Sequence, residues 1–136
     1  MNANKIIVKS LNDTKVNIKI ILAALWTGHF LLWSFGDMAS LMQKISEPAA
    51  DNLLLFVAVP LEVVQALMIF WSLSGKAKIM RWVNIIAAVV FVVFNIQFMI
   101  DAHTGWEYLL GSAYLLFNVL IIWYAWKWPK QEVQLS

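Results

Sequence analysis

The 136-residue chain contains no cysteine. That excludes a disulfide framework, a thiol nucleophile, a zinc ribbon and a cysteine-ligated iron–sulfur cluster. Charge is scarce as well, at 13% of residues against the roughly 25% of an average soluble domain. Low charge with 62% apolar residues excludes a disordered chain or a long solvated coiled coil. No phosphate loop, G-x-G-x-x-G, G-x-S-x-G or H-E-x-x-H pattern is present, so the common soluble-enzyme motifs are missing too.

What is present is long apolar runs and a mean hydropathy of +0.73. A chain this short cannot bury that much apolar surface inside itself, so the medium that covers it is lipid. Four segments are long enough to cross a bilayer of about 30 Å, which takes about 20 helical residues. They run over 16–36, 52–73, 82–100 and 107–128. Strict alternation is absent, which disfavours a barrel; the expected fold is all-α, an integral membrane four-helix bundle spanning 16–128. Residues 1–15 read as a cytoplasmic or interfacial segment and 129–136 as a cytoplasmic tail. The first apolar segment is too long for a cleaved signal peptide, and Ser34-Phe35-Gly36-Asp37 is a poor cleavage site.

Charge asymmetry sets the expected orientation. With both termini in the cytoplasm, nine of the ten basic residues fall on that side, Lys44 being the exception. Asp37, Glu47, Asp51, Asp101 and Glu107 fall on the other. The net charge of +2 is therefore topological and gives no reason to expect a nucleic-acid partner. Trp71, Trp82, Trp126 and Trp128 are placed at the inner interface and Trp106 at the outer one, with Trp33 near it. Trp26 and Trp123 are expected to pack inside the bundle. Ala24, Gly28 and Gly111 offer close-packing positions, within one bundle or between two copies.

Polar side chains at membrane depth are the candidates for function. At about 1.5 Å rise per residue, Glu62 falls near the midplane and His29 at a depth where the two could meet. Asn118, Asn95, Gln65 and Tyr114 fall around them, with Trp26 and Trp33 flanking. Pro60, two residues before Glu62, interrupts its helix and leaves carbonyls near Phe56 and Val57 in need of other partners. One reading is a polar pocket centred on Glu62 and His29 that binds or transports a small cationic or amphipathic molecule or ion. That four-helix unit is expected to be a homodimer. The other reading treats the same groups as interhelical glue, each bond contributing about 0.6–2 kcal/mol, in a non-catalytic accessory or structural subunit of a larger membrane complex. Asp37, Asp101, His103 and Glu107 form an outer rim, expected to be solvated and without metal. His29 and His103 differ by about 12–15 Å in depth, which disfavours bis-histidine haem; no cofactor is expected. The surrounding partners are membrane lipids.

Three stretches carry a resemblance. They are Leu11-Asn12-Asp13 through Lys19 into Ala24-Leu25-Trp26-Thr27, then Arg81-Trp82-Val83-Asn84-Ile85-Ile86, then Ile122-Trp123-Tyr124-Ala125-Trp126-Lys127-Trp128-Pro129. The chain resembles a bacterial family of small four-span membrane proteins of unknown function, over most of its length. The resemblance implies a bacterial inner membrane and four helices. It transfers no catalytic residues, so His29 and Glu62 rest on the reading of depth alone. Small multidrug transporters share the four-span architecture, but their membrane carboxylate lies in the first span, whereas Glu62 lies in the second.

Overall fold

The computed structural model describes residues 15–43 and 50–129. The expectations for residues 1–14, for the loop holding Lys44, Glu47 and Pro48, and for the tail from residue 130 lie outside them. The described residues form four helices, each long and apolar enough to cross a membrane: α1 (Ile18–Met42), α2 (Asp51–Ser74), α3 (Ala77–Ile100) and α4 (Gly105–Trp126). Among the described residues there is no strand.

Local chemistry accounts for the helix ends. Asn17 caps α1, its side-chain oxygen accepting the Lys19 N–H at 2.9 Å. Glu107 closes the start of α4, one carboxylate oxygen accepting from the His103 N–H, the Thr104 N–H and the Thr104 hydroxyl at 2.7–2.8 Å. α1 continues past Gly36 and Asp37 to Met42, six residues beyond the expected end. Gly36 suits a helix here because a β-carbon at that position would run into the Tyr114 hydroxyl and Leu110 of α4. α3 begins at Ala77, so most of the basic turn is already helical.

Pro60 does not stop α2. The five residues before Val59, Leu54–Ala58, form a π-helical turn in which the Val59 N–H bonds the Leu54 carbonyl. Widening the helix by one residue relieves the clash between a proline ring and the carbonyl four residues back.

The helices pack in an uneven ring: α1 against α2 and α4, α3 against α4, and α2 only slightly against α3. Lys19 Nζ donates to the Gly75 carbonyl at 2.8 Å, so the α2–α3 turn lies beside the start of α1. This is the basic end. Trp106 Nε1 donates to Gln43 Oε1 at 2.9 Å at the opposite, acidic end. The apolar core (Leu22, Trp26, Met68, Ala88, Phe91, Ile121, Ala125) occupies the basic half. In the acidic half α2 leaves the bundle, and every residue from Asp51 to Val57 is exposed.

Two packing expectations are revised. Trp123 lies on the outside, 55% exposed, with Lys127 Nζ 3.8 Å from its ring centroid. Gly28 does pack closely, against the Phe117 ring, but Ala24 faces outward; Gly111 packs against Met99 and Phe98.

Candidate functional site

α1 supplies a stripe of three rings one and two turns apart: Trp26, His29 and Trp33. They point across the bundle, and each finds an amide there. Trp26 and His29 are fully buried, as are Gln65, Ser72, Asn84, Asn95 and Asn118.

The deeper knot lies toward the basic end. Trp26 Nε1 donates to Asn84 Oδ1 at 2.7 Å, and the Ser72 hydroxyl donates to the same oxygen at 3.1 Å. Asn84 Nδ2 donates to the Met80 carbonyl of its own helix at 2.7 Å. No buried nitrogen or oxygen in this knot is without a hydrogen bond.

The second knot surrounds His29. Nδ1 lies 2.6 Å from Gln65 Oε1, and Nε2 lies 3.2 Å from both Asn95 Nδ2 and Asn118 Nδ2. The placement of the ring proton follows from the neighbours. An indole nitrogen can only donate, and Trp33 Nε1 donates to Asn95 Oδ1 at 3.0 Å. Asn95 therefore turns its amino group toward His29 Nε2. Asn118 does likewise, because its Nδ2 also donates to the Tyr114 carbonyl at 3.0 Å. Facing two amino groups, Nε2 accepts, so the proton resides on Nδ1 and is donated to Gln65 Oε1. Two buried atoms remain without a partner: Gln65 Nε2 and Asn118 Oδ1. Rings enclose the site on other sides, with Trp26, Trp33, Phe91 and Tyr114 centred 5.3–5.9 Å from the imidazole.

The residues at similar depth are thus brought together, except for one. Glu62 does not pair with His29. Gln65, three residues further along α2, takes that position, while Glu62 sits half-buried with Oε2 unpartnered. Glu62 instead lies within electrostatic range of Asp37 on α1 and of Tyr114.

Above the His29 knot, toward the acidic end, a cavity of ≈ 150 Å³ opens between α1, α3 and α4. Asn95 and Trp33 lie at its inner side, Phe94, Phe98 and Tyr114 form aromatic walls, and Gly36, Asp37 and Ser40 complete the lining. Gly36 keeps the passage beside Tyr114 clear, and the Tyr114 hydroxyl is tied to the Leu32 carbonyl at 3.1 Å.

The rim residues do different work. Glu107 is committed to capping α4 and is almost fully buried. Asp101 accepts from Gln97 Nε2 at 2.9 Å, and His103 is exposed. Only Asp37 lines the cavity. No group of three metal-ligating side chains converges among the described residues.

Asn84 and Ser72 are the residues that depth arguments missed. A signal was available: Asn84 and Asn95 are 11 residues apart, three helical turns, which places them on one face of α3. No protein-family model matches the chain, and neither a curated protein nor a solved structure is similar to it.

Proposed function

We propose that this protein binds a small organic cation, or the cationic head of an amphipathic amine, in the cavity beside Trp33. The observation that carries the reading is the combination of four aromatic side chains with the Asp37 carboxylate, which has no hydrogen-bond partner among the described residues, around an opening in the apolar bundle. Aromatic faces attract a desolvated cation by about 2 kcal/mol or more each. The volume is below the roughly 300–1,000 Å³ of drug-sized pockets. It suits an alkylammonium head whose tail remains in lipid. Glu62 lies near Asp37 and adds negative potential without lining the cavity. His29 acts beneath the site, through Asn95, and is not itself a ligand-contacting group. Transport is the extension of this reading, in which the cation leaves by a second opening of the bundle.

The alternative, an accessory subunit or homodimer, draws on two observations. Both His29 ring nitrogens are occupied within the bundle, and among the described residues nothing covers the first half of α2. For orientation, the lysine and arginine asymmetry and the bacterial resemblance support a bacterial inner membrane with cytoplasmic termini, which makes the acidic cavity face outward.

Thermal unfolding in detergent with tetramethylammonium, a long-chain alkylammonium and a neutral amphiphile separates the two readings, because a ligand of the folded state raises the midpoint by mass action. Cations are expected to stabilise wild type and to lose that effect in Asp37→Asn and on acidification, when the carboxylate is neutralised. Glu62→Gln should weaken the response less than Asp37→Asn. Equal stabilisation by the neutral amphiphile, or no response from any cation, favours the accessory subunit.

A further inference from the structure

The basic end carries a feature that the cation site does not use. Among the described residues, Lys15, Lys19, Lys76, Lys78, Arg81 and Lys127 all lie there, and no carboxylate does. Arg81 is held between two rings. Its guanidinium carbon lies 5.6 Å from the Trp82 ring centroid and 5.1 Å from that of Trp126, and those two rings meet edge to face at 6.3 Å. The side chain is half-buried, and its Nε–H is buried with no acceptor among the described residues. An unpaired buried donor on a cation is costly, so an acceptor from outside the described residues is called for.

The surroundings define that acceptor. A groove of ≈ 280 Å³ runs past Arg81, lined also by Ala77, Lys78, Trp82, Trp128 and Pro129. It lies over the first turn of α3, whose N-terminus has no side-chain cap and directs free N–H groups and a positive dipole end outward. Trp82 and Trp128 are residues of the kind that sit at the level of lipid headgroups. Three sources of positive charge, a planar fork of donors and flanking indoles at headgroup level match one chemistry: a phosphate diester attached to acyl chains. The N-terminal segment is a poor occupant by charge, since it carries Lys5 and Lys9 against a single Asp13.

We propose that Arg81, Lys78 and the start of α3 form a binding site for the headgroup of an anionic phospholipid, with Trp82 and Trp128 flanking its glycerol and upper acyl region. Arg81 supplies the fork to the phosphate and Lys78 a second, more exposed charge. The site is independent of the cation cavity at the other end of the bundle.

The test is native mass spectrometry and thermal unfolding of the full chain in detergent micelles containing phosphatidylglycerol, phosphatidylcholine or inorganic phosphate. Phosphatidylglycerol is expected to remain bound and to raise the unfolding midpoint of wild type. Phosphatidylcholine should do so less, and inorganic phosphate at the same concentration not at all. Loss of one interfacial cation weakens headgroup binding roughly fivefold, so Arg81→Gln should lower phosphatidylglycerol retention by at least that factor. Arg81→Lys should recover part of it. Lys78→Gln, at an exposed position, provides the comparison if Arg81→Gln does not fold. The proposal is overturned by equal retention of both lipids, by a full effect of inorganic phosphate, or by unchanged phosphatidylglycerol retention in Arg81→Gln or Lys78→Gln. It is also overturned if Glu132→Gln and Arg81→Gln lower the unfolding midpoint equally in detergent without added lipid, which would make the tail carboxylate the partner of Arg81.

Discussion

Two tryptophans on one face of α1 each reach across the bundle to an asparagine on α3, yet the two contacts have different characters. Trp26 meets Asn84 in a knot where each buried polar atom has a partner and the apolar core packs close by. Trp33 meets Asn95 in a knot that leaves Gln65 Nε2 and Asn118 Oδ1 unmatched and borders a cavity. The same pair of residue types thus serves as closure in one half and as the wall of an opening in the other. What differs is the supporting cast. Asn84 has a serine to complete its acceptor, whereas Asn95 has an imidazole whose second nitrogen must be satisfied from another helix. Closure holds the helices together; the second knot meets an opening at Asn95 and Trp33.

That contrast can be broken most severely at the closed knot. Asn84→Ala removes the acceptor for a buried indole and a buried hydroxyl and leaves a small void. A loss of about 3 kcal/mol is expected, read as a large fall in the thermal midpoint in detergent. His29→Ala strands Gln65, Asn95 and Asn118, but leaves no indole or hydroxyl without its acceptor. Only Asn95 of the three has the cavity to hydrate it; the expected loss is about 2 kcal/mol, and a loss exceeding that of Asn84→Ala would reverse the ranking of the two knots. Trp33→Phe keeps a ring and removes a single hydrogen bond, costing about 1 kcal/mol. Its main effect lies elsewhere. With the donor-only indole gone, Asn95 is free to turn over, and Asn118 alone is left to hold the His29 proton on Nδ1. Nitrogen-15 spectra of histidine-labelled protein should show one tautomer at His29 in wild type and a mixture in Trp33→Phe. A single unchanged tautomer in both would refute the placement of the proton by Trp33.

Much of this architecture was legible in the sequence for physical reasons. Span length, the clustering of lysine at one end and the depth of His29, Asn95 and Asn118 all follow from bilayer thickness and helical rise, which are nearly constant. Azimuth is another matter. Glu62 and Gln65 differ by less than one turn in height, and choosing which of them faces His29 requires the packing of α2 on α1. The π turn before Pro60 adds a further rotation that a regular helix does not predict. The cavity was illegible as well, because it depends on Gly36 remaining helical where a glycine beside an aspartate reads as an end. Trp123 was misplaced for the same reason as Glu62: its depth was sound, but its face was not.

The arrangement around Trp33 has an electrical consequence. The two tautomers of a neutral imidazole carry the same net charge, so moving the proton between its nitrogens transfers no charge from one side of the bilayer to the other. A membrane potential acts on a displaced elementary charge with about 2.3 kcal/mol per 100 mV, and it has almost nothing to act on here. A rotation of Trp33 that reset the hydrogen bonds around His29 would therefore be indifferent to the potential in itself, which would act only on the charge of whatever group entered beside it.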